Sequence, residues 1–299
     1  MNKYILMVFT GACSFGILST FVKLAYREGY TPAEISFSQA FIGMGILWLL
    51  VFIQERRRSG MAADQIIAIP WWPLLLTGAA IGWTTYVYYV AVHYIPASVA
   101  IVILMQFTWI SMLLEWCFFN KKPVASQLVV TVVILSGTLM AGGWLNTRAG
   151  NLSTTGILYA LGAALLYAVY IVANSRLSSQ VSPLKKSAVM MMGSSIGIFV
   201  VNASSLATST HTDVSLIKWA VFLAIFGTVI PPVLFARGIP KAGVGVSAIL
   251  MTAELPVAVI CSHFVLSEEV GVVQWLGIVV MLLAIVLLNV QKMKYLKRG

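Results

Sequence analysis

Charge is what this chain has least of. Only 9% of its 299 residues are Asp, Glu, Lys or Arg, against 60% hydrophobic, and the mean hydropathy is +0.94. So few polar side chains cannot coat a water-soluble globule, which excludes an ordinary soluble enzyme or binding module and makes lipid the solvent for most of the chain. Acidic residues are scarcest, nine against 19 basic ones, leaving a net charge of +10. That sign alone suits a nucleic acid, but the basic residues form short clusters between apolar runs, with no basic face and no recognition module, so no nucleic-acid partner is expected. The three cysteines, Cys13, Cys117 and Cys261, all lie inside apolar runs; they offer neither a disulfide framework nor metal-ligand spacing and are expected as small buried hydrophobes. His93, His211 and His263 include no pair at zinc spacing, and Ser, His and acidic residues do not converge on a catalytic set. There is no Walker motif, hence no direct ATP drive. The first apolar run reaches about Val22 without a small-residue cleavage site, so it is read as a span rather than a signal peptide.

What is there instead is a series of long apolar runs. Crossing ~30 Å of hydrocarbon takes roughly 20 residues of helix. Runs of that length lie at 4–26, 33–53, 71–94, 97–119, 125–144, 156–175, 187–207, 219–237, 243–265 and 271–291. The expected fold is an all-α polytopic membrane protein of ten transmembrane helices. With the N-terminus inside, all Lys and Arg except Lys23, Arg27, Arg148 and Lys218 fall on the cytoplasmic side, and the excess of positive charge selects that orientation. Both termini are then cytoplasmic, in a cell membrane expected to be a bacterial inner membrane.

The two halves resemble each other. Ile95-Pro96-Ala97-Ser98 leads to Ile103-Leu104-Met105, and Ile239-Pro240-Lys241-Ala242 leads to Ile249-Leu250-Met251; Gln127 and Gln274 open the last span of each half. Each half has five spans, an odd number, so the second is inserted upside down relative to the first. Accordingly Lys121-Lys122 is expected inside and its counterpart Glu268-Glu269 outside. The expected organisation is a first repeat over 1–145, a linker over 146–155, a second repeat over 156–291 and a basic tail over 292–299. Inverted repeats of this kind accompany alternating access around a site near the midplane.

On these features the chain resembles the drug/metabolite transporter superfamily, in particular its ten-span group with two EamA-type repeats. The residues that carry the resemblance are Ser14-Phe15 and Lys23, Tyr94 to Ser98, Glu254 to Pro256, Leu266-Ser267-Glu268, and Gln274-Trp275-Leu276-Gly277. Two positions depart from it: Leu255 separates Glu254 from Pro256, and Gln39 stands where many members have Arg. The resemblance implies a transporter of small organic molecules, with export as its direction. It leaves the cargo open, because one fold serves many cargoes.

Glu254 is the most informative residue. It falls about 11 residues into the ninth span, ~16 Å along the helix, where a charge is costly and points to function. It can exchange a proton or pair with a substrate ammonium; alternatively it satisfies backbone groups freed by Pro256. In span three, Trp83, Tyr86, Tyr89 and His93 occupy little more than a third of the helix circumference at ~100° per residue. They read as an aromatic wall for cargo, with His93 as a possible second proton site, or as ordinary packing with an interfacial histidine. Gln106 with Trp109 in span four, and Tyr170 with Asn174 in span six, are further binding candidates, the latter pair equally readable as interhelical hydrogen bonding. Glu115 reads as an interfacial partner for nearby lysines. Pro231-Pro232 and Pro256 interrupt their helices and are hinge candidates.

The reading is a secondary transporter that exports amino acids or similar metabolites by alternating access, with proton coupling through Glu254. An uncoupled facilitator or channel, or an intramembrane enzyme, is the alternative. No catalytic residue, metal or cofactor is expected; the expected partners are a small-molecule substrate and the lipid bilayer, with a homodimer left open.

Overall fold

The computed structural model describes residues 3–58, 71–142, 153–177, 182–209, 214–267 and 269–296. Most of the expected linker lies outside them, as do Trp144, Arg148, His211, Glu268, Lys297 and Arg298. The described chain forms ten apolar helices: α1 (Lys3–Arg27), α2 (Pro32–Arg58), α3 (Trp72–Tyr94), α4 (Ala97–Leu104 continued by Phe107–Phe119), α5 (Ala125–Ala141), α6 (Thr154–Arg176), α7 (Pro183–Ala207), α8 (Val214–Ala242), α9 (Val244–Leu266) and α10 (Val272–Leu296). Eight are long and apolar enough to cross a bilayer, and α5 and α10 supply shorter apolar stretches. Large apolar side chains such as Phe118, Val200, Phe264 and Val272 are mostly exposed on the outside of the bundle, where lipid is their solvent.

Two expected boundaries move. Helix α7 starts at Pro183 rather than 187, and α8 runs from Val214 to Ala242 rather than over 219–237. The charges that suggested loops there, Lys185, Lys218, Arg237 and Lys241, are carried on helix ends, where long basic side chains reach out to the interface. Lys186 differs: it lies inside α7 and is only 1% exposed. Among the cysteines, Cys13 and Cys261 are half-buried, but Cys117, expected to be buried, is exposed near the end of α4.

The packing is two-fold. The pairing of α1 with α8 reappears as α6 with α3, α2 with α8 as α7 with α3, and α1 with α9 as α6 with α4; α2–α7 and α5–α10 pair with their own counterparts. Glycines make the closest approaches. A Cβ on Gly78 would strike the Met190 carbonyl, and one on Gly193 the Leu75 carbonyl, so α3 and α7 touch backbone to backbone.

The repeat is clearest in α4 and α9. Each is an eight-residue helix, a two-residue break and a 13-residue helix, ending in a left-handed residue, Asn120 (φ 52°) or Ser267 (φ 55°). The following helices open alike: Gln127 accepts from the Val124 N–H at 3.2 Å and Gln274 from the Gly271 N–H at 2.9 Å. The expected equivalence of Pro96 and Pro240 does not hold. Pro96 caps the start of α4, whereas Pro240 lies in the last turn of α8, and the true counterpart of Pro96 is Gly243.

Candidate functional site

Helix α9 is broken at Thr252 and Ala253 by a tight turn. The N–H groups of Thr252, Ala253 and Leu255 reach back only three residues, to Ile249, Leu250 and Thr252. Pro256 removes the donor that the Thr252 carbonyl would otherwise receive, and the Thr252 hydroxyl donates to the Ile249 carbonyl at 2.6 Å, competing with the ladder. Thr108 does the same to Met105 at 2.7 Å in α4, which breaks without a proline. The turn starts a new helix at Glu254, placing an acidic side chain in a first turn, where the helix dipole favours it.

Glu254 is 4% exposed, and its Oε1 accepts from the Tyr167 hydroxyl at 2.5 Å. Tyr167 is held in place by the Phe107 ring edge-on at 4.7 Å and by Tyr170 at 6.1 Å. Opposite, Gly16 of α1 lies against the Glu254 backbone, where a Cβ would sit 2.5 Å from the carbonyl oxygen.

These residues border a cavity of about 480 Å³ of empty space, including its mouth. Its walls come from both repeats: Phe15 and Ser19 of α1, Ile81, Thr84, Thr85, Tyr88 and Tyr89 of α3, Ile101 and Leu104 of α4, Tyr167 of α6 and Glu254 of α9. The Thr84 and Thr85 hydroxyls donate to their own helix, at Ala80 (2.8 Å) and Ile81 (3.1 Å), leaving oxygen lone pairs as acceptors. The Tyr88 hydroxyl is buried and has no hydrogen-bond partner among the described residues. A second hollow shares Ser19 and Ile101 with the first and extends to Lys23 and Ser262.

Tyr89 ties the cavity to α8. Its hydroxyl donates to Gln39 Oε1 at 2.8 Å, and Gln39 Nε2 donates to Thr228 Oγ1 at 3.1 Å. Thr228 lies in a wide π-helical turn, Ala224–Val229, immediately before Pro231 and Pro232. The chain stays helical through the two prolines, from Ile230 to Ala242, and the Ser14 hydroxyl donates at 2.6 Å to the Phe226 carbonyl, whose π-turn donor would be residue 231, a proline without an N–H.

Of the residues singled out from the sequence, Glu254 and Tyr89 line the cavity. Trp83 does not: it is 38% exposed, with Nε1 donating to the Gly197 carbonyl at 2.9 Å. Tyr86 is half-buried away from it, and His93 is exposed at the end of α3, edge-on to Tyr26. Gln106 and Trp109 do meet, Trp109 Nε1 donating to Gln106 Oε1 at 2.8 Å, but Trp109 is 44% exposed and neither borders the cavity. Tyr170 and Asn174 are fully buried and bonded to each other at 3.3 Å, outside the cavity wall. Glu115 pairs with Arg176 at 3.0 Å and lies 3.9 Å from Lys121. Reasoning from the sequence misses Tyr88, Thr84 and Thr85, and it places Tyr167 only at the margin of the span-six face that carries Tyr159, Tyr170 and Asn174. The signal for α3 was its Ile81, Thr84, Thr85, Tyr88 spacing, one helical face on the side opposite Trp83. Among the described residues no three His, Cys, Asp or Glu side chains gather to hold a metal ion.

The model of the EamA-like transporter family matches residues 2–143 and 154–290. The chain is 27% identical to "Uncharacterized transporter YwfM" of Bacillus subtilis, over 96% of this chain and 94% of that one. It is 26% identical to "Threonine/homoserine exporter RhtA" of Escherichia coli K12, over 79% and 75% of the two chains. A solved crystal structure 14% identical in sequence superposes with a TM-score of 0.75 over 99% of each chain, which shows the same fold.

Proposed function

This chain belongs to the EamA-like transporter family, and from that premise we propose that it is a secondary transporter exporting amino acids or similar small organic metabolites by alternating access. The observation that carries the reading is the Glu254 carboxyl, buried at mid-span beside a cavity to which both repeats contribute. A carboxyl so placed holds a substrate ammonium or a proton, and the unpartnered Tyr88 hydroxyl and the Thr84 and Thr85 oxygens offer polar contacts to the rest of a small solute. The name of the Escherichia coli relative supports amino acids as the cargo class and export as the direction. We place the binding site on Glu254, Tyr167, Tyr88, Tyr89, Thr84 and Thr85. The excess of Lys and Arg on one side supports a bacterial inner-membrane protein with both termini in the cytoplasm.

The test is transport by purified protein in proteoliposomes, with a panel of amino acids and with and without a pH gradient. Saturable movement of at least one amino acid, lost in Glu254→Gln, is expected; acceleration by the gradient identifies proton coupling. Folded protein that moves none of the panel overturns the reading.

A further inference from the structure

Two backbone carbonyls inside the bundle lack helical donors among the described residues, and one side chain serves both. The Ala236 carbonyl of α8 would accept from residue 240, but Pro240 has no N–H. The Asn174 carbonyl lies in the last turn of α6, which ends at Arg176, where the helix supplies no further donor. The Lys186 ammonium donates to each at 3.3 Å. Among the described residues no carboxylate pairs with it; the negative end of the α6 dipole is its counter-charge.

The position of this contact follows from the glycines of α1. Gly16 packs on Glu254 and Gly11 on Phe235, so the Phe235–Ala236 level lies about 7.5 Å along α1 from Glu254. It lies toward the face where Lys185 pairs with Glu55 and Arg176 with Glu115. Between the cavity and that face Tyr170, Asn174 and Phe235 are fully buried, with Phe235 stacked on Phe15. Phe235 belongs to the segment Ile230–Ala242, which has a pivot at each end. The π turn Ala224–Val229 precedes it, with Pro231-Pro232 in the segment's own first turn, and Gly243 follows it at φ 88° with nothing within 4 Å of its Cβ position.

We propose that Lys186 is the latch of a gate on this face: it holds the Ile230–Ala242 segment against α6 beneath the cavity, and both of its hydrogen bonds break when the cavity opens to that side. The inference rests on the alternating-access reading but on no particular cargo. Lys186 is a positioning residue and touches no substrate.

The test uses the full chain with Cys13, Cys117 and Cys261 replaced by alanine and a reporter cysteine at the buried Ile239, labelled in detergent by a membrane-impermeant maleimide. Lys186→Met labels more than about tenfold faster than the parent, because both charged hydrogen bonds of the closed state are lost. Lys186→Arg labels slowly. Adding Pro240→Ala to Lys186→Met returns an N–H to the Ala236 carbonyl; the melting temperature recovers while labelling stays fast, because the tie between helices is still missing. Labelling at the parent rate in Lys186→Met overturns the latch, as does recovery of both properties in the double variant, which would make Lys186 a backbone cap alone. Should Lys186→Met not fold, Lys186→Gln, which keeps a neutral donor, is read in the same way. Fast labelling in a protein that transports nothing would remove the cargo reading and keep the latch; parent-rate labelling with intact transport would do the reverse.

Discussion

Gly16→Ala probes the site by steric contact alone, with no polar side chain changed. The added Cβ would lie 2.5 Å from the Glu254 carbonyl oxygen and 2.8 Å from Val257 Cβ, whereas ordinary contact begins at 3.4 Å. The obstacle is backbone on one side and a β-branched carbon on the other, so neither can swing aside. Helix α1 must therefore retreat from α9 by about 0.9 Å at the level of Glu254, at a cost of about 1–3 kcal/mol for overpacking. That retreat carries Phe15 and Ser19, one wall of the cavity, away from the carboxyl on the other. Losing about 1.4 kcal/mol of cargo binding is a tenfold weaker affinity. The assay is thermal unfolding of purified protein together with the concentration dependence of transport in proteoliposomes. Gly45→Ala is the control: Gly45 lies in α2 with nothing within 4 Å of its Cβ position, so neither property should fall. If Gly16→Ala melts and transports like Gly45→Ala, the close contact of α1 with α9 at Glu254 is not part of the working protein.

Tyr167→Phe keeps the ring packed on Phe107 but removes the donor to Glu254; unfolding should lose about 1–3 kcal/mol, and transport should fall at least as far as in Gly16→Ala. Unchanged transport would take Tyr167 out of the site. Tyr88→Phe removes a buried hydroxyl that has no partner, so stability should hold or rise by up to about 1 kcal/mol while cargo affinity drops; unaltered affinity in a transport titration would exclude that hydroxyl from binding. Gln39→Leu strands the Tyr89 and Thr228 hydroxyls together and should lower the unfolding free energy by about 1–3 kcal/mol, measured by chemical or thermal unfolding. Trp109→Ala removes a ring that faces outward and should leave transport within about twofold of the parent; a large loss would return Gln106 and Trp109 to the list of cargo contacts.

Much of the architecture was legible in the chain itself. Span number follows from the length of apolar runs measured against a bilayer of given thickness, and the inverted relation follows from five spans per half; both are local or arithmetic properties. Glu254 stood out because a carboxyl in the middle of an apolar run has no cheap explanation. The register of the repeat was half-legible: Gln127 and Gln274 correspond, but Pro96 and Pro240 share only a dipeptide and not a structural role.

Which side of each helix faces the cavity was decided only in three dimensions. In a soluble helix the polar face marks water and the apolar face marks the core, but in a membrane helix lipid and protein interior are both apolar, so the stripe carries no label. Trp83 and Tyr89 belong to one aromatic stripe of α3, yet one is turned to the outside and the other to the cavity. Lys186 shows the same limit for charge. Read along the chain it marks a cytoplasmic loop; in the folded bundle, two carbonyls without donors, one orphaned by a proline 54 residues away in sequence, make the interior the place where its ammonium is satisfied.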